Sequence, residues 1–286
     1  IVSQLLKLGH EVYCYNRGIS CSVPEGAHSI VGDRNNLKSF EKIIQDADFD
    51  FAIDMICMNA DQAMSSIRAF NGVKHFIMCS TVGVYGIENN SSPITEDQIL
   101  KPETDYARNK VEAENLFMNA YQKKKFPVTI LRPSTTYGSK MGLLRQISTD
   151  FSWIDRIQKS KPILICDDGS AKCQFMHVDD AATVFSSIIG KKESIGQVYN
   201  LVDKQFYTWN EYHKVAMKVL EKKVDLVEVA YLDLKRFKIP GFKICRDVFS
   251  HNLYFSSEKL FKLLPDFTPR ISLEEGMKKV LKNMDI

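Results

Sequence analysis

The sequence predicts an α/β fold, a doubly wound parallel sheet with a smaller C-terminal substrate-binding lobe. Three observations predict it. Short runs rich in β-formers alternate with segments of helical spacing through the first half, which implies crossover connections between parallel strands. The runs at 76–79 and 128–131 are apolar nearly throughout, as strands covered on both faces are. A chain of 286 residues is long for one ordinary domain, and one sheet domain with an attached lobe fits it better than two independent units.

Residues 1–8 carry apolar side chains at helical spacing and end at Gly9; they read as the inside of a helix and lack the basic, apolar and small-residue regions of a signal peptide. Strands are expected at 11–15, closed by Asn16-Arg17-Gly18, and at 28–31, closed by Gly32-Asp33. A helix at 37–45, a strand at 49–56, a helix at 61–70 and a strand at 74–79 follow. The segment 104–122 reads as a long helix with Thr104 or Asp105 as its cap, and 128–131 as a strand. Beyond Gly138 the pattern loosens. A helix near 143–157, a strand at 163–166, a turn at 167–170, a helix at 178–189, a return strand at 197–202 and a last helix at 273–283 are expected.

The net charge of +3 is spread along the chain, which gives no case for nucleic acid as a partner. Lys123, Lys124 and Lys125 form the densest basic run, read as the solvated end of a helix. No stretch approaches the length of a membrane span. Seven scattered cysteines, Cys21 among them, show no metal-ligand spacing and point to a reducing compartment, the cytoplasm.

Tyr106 and Lys110 stand four apart in the expected helix, so both lie on one face. An ammonium close to a phenol favours the phenolate and lowers its pKa, making tyrosine a workable acid and base near neutral pH. The same lysine could hold a cofactor ribose hydroxyl. Alone, this spacing arises by chance in any helix.

Around it stand Cys79-Ser80-Thr81-Val82-Gly83-Val84-Tyr85-Gly86, Leu131-Arg132-Pro133-Ser134-Thr135-Thr136-Tyr137-Gly138 and Phe175-Met176-His177-Val178-Asp179-Asp180. In this order and spacing the set resembles the extended short-chain dehydrogenase/reductase family, which includes nucleotide-sugar epimerases and dehydratases on a Rossmann fold. The resemblance runs to 256–276, which looks like the family's closing helix-loop-helix. It implies a catalytic triad of Thr81, Tyr106 and Lys110, with Thr81 orienting the reacting oxygen and Ser80 the competing candidate. It places Pro133 by the nicotinamide, and Ser80, Tyr85 and Thr135 near substrate. His177 is read as structural. Residues 1–138 become a dinucleotide-binding domain, incomplete at its N-terminal side, and 139–286 mainly a substrate lobe, with 177–202 returning to the first domain. A homodimer through the Tyr106–Lys110 helix is the family's habit.

The departures matter as much. The family's glycine-rich phosphate loop has no counterpart in these residues, and the simplest reading is that the first strand and its loop lie outside them. Where an acidic residue usually holds the ribose of NAD stand Asn16 and Arg17, which favours NADP. Asp33 and Arg34 take the position beside the adenine. Val82 and Gly83 replace the acid pair of dehydratases. Cys173 and Gln174 replace an Arg-Asp pair whose arginine contacts a diphosphate, leaving Arg246 or Lys172 to compensate, and Thr135 replaces a common Asn. The expected activity is NAD(P)-dependent oxidation or epimerisation at a secondary alcohol of a sugar-like small molecule. The alternative is a dinucleotide-binding sensor or RNA-associated protein, since the departures are similar to a branch containing chloroplast stem-loop-binding proteins.

Overall fold

A computed structural model describes residues 1–19, 22–88, 93–140 and 142–282. Cys21 and the last residue of the expected helix at 273–283 lie outside the described residues. In chain order, α1 (Val2–Lys7) leads to β1 (Tyr13–Asn16) and β2 (His28–Val31), then α2 (Leu37–Gln45), β3 (Phe51–Asp54), α3 (Ala60–Ala69) and β4 (His75–Cys79). A 3-10 turn (Val82–Tyr85) precedes α4 (Asp105–Lys124), β5 (Val128–Pro133) and β6 (Thr135–Tyr137). Next come α5 (Ser152–Gln158), β7 (Ile163–Cys166), β8 (Lys172–Cys173), β9 (Phe175–His177), α6 (Val178–Ile188), β10 (Val198–Leu201), β11 (Tyr207–Thr208), α7 (Trp209–Val219) and β12 (Leu226–Val229). The chain closes with α8 (Tyr231–Leu234), a single π turn at Cys245–Phe249, α9 (Glu258–Leu263) and α10 (Leu273–Lys282).

The main sheet has the order β10-β5-β4-β3, all parallel, while β1 and β2 form a separate parallel pair. Every residue of β4 is buried because the sheet is covered on both faces. Phe76 and Met78 pack with Ala113 and Phe117 of α4, and Ile77 and Cys79 pack with Val184 and Phe185 of α6. That alternation is the two-residue period of a strand feeding two cores. β10 thus joins the main sheet, and α6 covers one of its faces.

The helices begin where short polar side chains take up free amides. Asn36 caps α2, Asn59 caps α3, and Thr104 accepts from Ala107 N at 3.1 Å to open α4. The basic run behaves as expected: Lys123 and Lys124 fill the last turn of α4 and Lys125 closes it at φ 57°. A third core, built on Trp153, Trp209, Tyr212 and Phe175, gathers α5, α7 and α10.

The expected helix at 143–157 is a correction. Only α5 is helical, and residues 143–150 fold back on themselves through a bridge between Arg145 and Ser148. Asp150 accepts from Ser152 N at 2.9 Å and pairs with Arg145 at 2.6 Å, and Trp153 Nε1 donates to Leu143 O at 3.0 Å. These local bonds outcompete a helical turn.

Candidate active site

At the carboxyl end of β4 the chain turns sharply. Thr81 is extended, and its Oγ1 accepts from Gly83 N at 3.1 Å, capping the 3-10 turn. A Cβ added at Gly83 would stand 3.4 Å from Thr81 Oγ1 and 3.9 Å from Ala107 Cβ, so this turn rests on the first turn of α4. Gly86 has φ 70°, and a Cβ there would run into the carbonyl of Lys101. Gly86→Ala therefore combines backbone strain with a backbone collision. It should lower the thermal midpoint by several degrees and displace Thr81, seen as loss of turnover. An unaltered midpoint would contradict this.

Tyr106 is 49% exposed and Lys110 only 1%. Lys110 Nζ donates to Cys57 O at 2.7 Å and Cys79 O at 2.8 Å, joining the loop after β3 to the end of β4. It lies 5.7 Å from the Tyr106 ring centroid. An ammonium has three donors, so one remains after these two bonds. The expected lowering of the phenol pKa is not what this geometry produces. Burial, and then the nearby Cys79 thiol, raise Tyr106 above its ordinary value, while two carbonyls hold the ammonium beneath the ring.

Ser80 and Tyr85 are buried, at 2% and 0% exposure. Ser80 Oγ donates to Glu114 Oε1. Glu114 pairs with Arg132 at 2.5 Å, Arg132 Nη1 donates to Tyr85 Oη at 2.8 Å, and Tyr85 Oη donates to Asn200 Oδ1 at 2.7 Å. Both hydroxyls expected near substrate thus enter a network inside the protein. Pro133 ends β5 opposite Leu201, and Thr135 begins β6 opposite Phe175; both are half-buried. His177 Nδ1 accepts from Asp179 N at 3.2 Å, capping α6, in keeping with the structural reading of it.

Four of the expected cofactor residues come together. Asn16, Arg17, Asp33 and Arg34 line one cleft of about 570 Å³ whose wall continues to Ile56 and Met58. Cys57, between those two in sequence, accepts from Lys110, which ties the loop carrying this wall to the helix of Tyr106. Asn16 Oδ1 accepts from Gly18 N at 2.7 Å and Arg17 is exposed on that turn. Arg34 is buried, with Nη2 on Gln62 O and Ser66 Oγ, both at 2.7 Å, and its guanidinium 3.9 Å from the Phe40 centroid. Nη2 also faces Asp54 Oδ2 at 3.6 Å, while among the described residues Nε and Nη1 are buried without a hydrogen-bond partner. A planar, unsatisfied donor on a cleft wall suits the adenosine end of a dinucleotide.

A second cleft of about 490 Å³ lies where α4 begins, lined among others by Thr104, Arg108, Lys243, Arg246 and His251. Arg246 is there; Lys172 instead lies 4.5 Å from the Phe206 ring centroid. Cys173 and Gln174 are buried, and Gln174 bonds the backbone of Phe255 in both directions. Sequence reasoning missed Gln62, Ile56 and Met58 as cleft walls, and Glu114, whose only signal is its place four residues after Lys110 on the same face.

Residues 53–201 match the NAD dependent epimerase/dehydratase family. The chain belongs to that family. It is 24% identical over 230 residues to 2'-dehydrokanamycin reductase of Streptomyces kanamyceticus, an alignment covering 80% of this chain and 65% of that protein. It is 23% identical over an alignment of 287 residues to the chloroplast stem-loop binding protein of 41 kDa b of Arabidopsis thaliana, covering 96% and 72% of the two. Among solved structures, UDP-glucuronic acid 4-epimerase of Bacillus cereus in complex with UDP-glucuronic acid and NAD superposes with a TM-score of 0.73 at 20% identity, over 98% of this chain and 93% of that one. At that identity the likeness shows the Rossmann-like fold. Among the described residues no helix is long and apolar enough to cross a membrane.

Proposed function

We propose that the protein catalyses reversible oxidation at a secondary alcohol of a sugar or nucleotide sugar, ending in epimerisation or in release of the oxidised or reduced product. The observation that carries this is the buried Lys110, fastened to the carbonyls of Cys57 and Cys79 under the half-exposed ring of Tyr106. A bound NAD or NADP supplies hydride acceptance and donation there. Tyr106 Oη takes the proton from the substrate hydroxyl and returns it, and Thr81 Oγ1 orients the same oxygen. Lys110 uses its remaining donor to hold a ribose hydroxyl and keeps Tyr106 in place. Asn16, Arg17, Asp33 and Arg34 hold the adenosine end. Val82 and Gly83 offer no acid or base, which favours oxidation over elimination of water. On the substrate side Arg246 lines the cleft at the start of α4 but is already paired with Asp247 at 2.5 Å, so neither it nor Lys172 replaces the missing arginine.

The structural relatives include proteins solved with UDP-glucose and with UDP-glucuronic acid, and a dTDP-glucose dehydratase. Each of those three sugars, offered with NAD and with NADP and followed by chromatography, tests the proposal. Conversion of one to an epimer, keto sugar or reduced product supports it. Tight dinucleotide binding with no conversion of any would instead favour the sensor or RNA-associated reading, for which the uncharged Cys173 and Gln174 speak.

For the cofactor, the exposed Arg17 beside the uncharged Asn16 favours a 2′-phosphate. Calorimetry should find NADP bound more tightly than NAD, and Arg17→Ala should weaken NADP about tenfold, roughly 1.4 kcal/mol, leaving NAD within twofold. Tighter NAD binding by the unaltered protein would refute the role of Arg17.

A further inference from the structure

We infer that Glu114 is a positioning residue for the reaction, holding Thr81 in register with Tyr106 through Ser80; the inference rests on the Tyr106 chemistry proposed above. Tyr106, Lys110 and Glu114 follow one another at four-residue steps along α4, so the three lie along one face. Lys110 bonds the carbonyl of Cys79, two residues before Thr81. Glu114 accepts from the hydroxyl of Ser80, the residue directly before Thr81. Two successive residues of the segment entering Thr81 are therefore fixed from the helix that carries the phenol.

Glu114 is itself held. Arg132 at the end of β5 donates to both of its oxygens, Nε to Oε1 at 3.0 Å and Nη2 to Oε2 at 2.5 Å, with both side chains 4% exposed. A bidentate pair of this kind fixes the carboxylate in direction as well as distance. Arg132 also bonds Tyr85, the last residue of the 3-10 turn that Thr81 caps. The turn is thus gripped at both ends, by Glu114 through Ser80 and by Arg132 through Tyr85. Asn200 continues the network, donating to Ile94 O and Ser256 O at 3.2 and 3.1 Å. A side-chain oxygen that must meet a substrate oxygen within a few tenths of an ångström needs such a frame.

The test uses the full chain and whichever of UDP-glucose, UDP-glucuronate and dTDP-glucose the unaltered protein converts, with Ser80→Ala, Glu114→Gln and Tyr106→Phe measured side by side. Ser80→Ala and Glu114→Gln should each lower kcat at least tenfold, while KM and dinucleotide Kd stay within twofold. Ser80→Ala leaves the Arg132–Glu114 pair whole, so it decides the matter if Glu114→Gln does not fold. An unchanged kcat in Ser80→Ala overturns the inference. So does a loss shared by kcat, KM and dinucleotide affinity, which marks a merely structural network. If Tyr106→Phe retains turnover, the underlying chemistry has failed; if it loses turnover while Ser80→Ala keeps it, only the positioning role falls.

Discussion

Tyr106→Phe should lower turnover by about 10² to 10⁴ and leave dinucleotide affinity within twofold. A positioned acid and base contributes about that factor, which corresponds to roughly 3 to 5 kcal/mol of barrier. The substitution removes one oxygen and nothing else of consequence. The ring remains above Lys110, whose bonds to Cys57 O and Cys79 O do not involve the phenol, and tyrosine and phenylalanine have similar helix propensities. The cleft walls at Asn16, Arg17, Asp33 and Arg34 are untouched. The raised pKa of the phenol also gives the reaction a direction in pH. Tyr106, an ordinary phenol at neutral pH pushed further from deprotonation by burial, is protonated there and ready as an acid for reduction. Oxidation needs the deprotonated form, and its rate should climb steadily as pH rises toward the alkaline range. Turnover by Tyr106→Phe at the unaltered rate, or an oxidation rate flat above neutrality, would remove Tyr106 from the chemistry.

The parts legible in the sequence are those decided by local pattern. β4 and β5 are recognisable because a strand buried on both faces has no polar side to show, and α4 because Thr104, Asp105 and the three lysines mark both its ends. The four-residue step from Tyr106 to Lys110 fixes a shared face whatever the tertiary structure. What Lys110 touches was not legible, since Cys57 and Cys79 come beside it only through the neighbouring positions of β3 and β4 in the sheet. That difference decides the pKa of Tyr106, which burial raises although the sequence spacing alone suggested a lowering. The hydroxyls of Ser80 and Tyr85 illustrate the same limit. A hydroxyl at a strand end can face solvent or core, and only the arrival of Glu114 and Arg132 beside it determines which. The helix expected at 143–157 misled for a related reason. Leu143, Ile147, Ile154 and Ile157 have helical spacing, yet Leu143 packs with Trp153 while Ile147 packs with Cys166 in another core.

Far from the active site, at the start of β4, His75 should make the fold sensitive to mild acid. Its Nδ1 accepts from Gly190 N at 3.0 Å, and its Nε2 meets Thr129 Oγ1 at 2.8 Å. Thr129 Oγ1 in turn donates to Ser194 O at 2.6 Å, so Nε2 carries the single ring proton and Nδ1 must stay bare. Protonating Nδ1 would break the bond from Gly190 and place a charge where no water reaches. Burial accordingly lowers the pKa from 6.5 to about 4. Above pH 6.5 both folded and unfolded chains hold a neutral imidazole and stability is complete. As pH falls from 6.5 toward 4 the unfolded chain binds a proton that the folded one refuses, so stability is lost across that window and levels off below it. Between pH 7 and pH 5 the loss from His75 comes to about 2 kcal/mol. His213, buried among Trp153, Trp209 and Tyr212 and lowered to about 3, acts in the same direction. Urea unfolding at the two pH values should show the combined loss, and His75→Gln should reduce it by about 2 kcal/mol even though the variant is weaker at pH 7. An identical pH dependence in the two proteins would mean that His75 already carries its proton in the fold, which the bond from Gly190 does not permit.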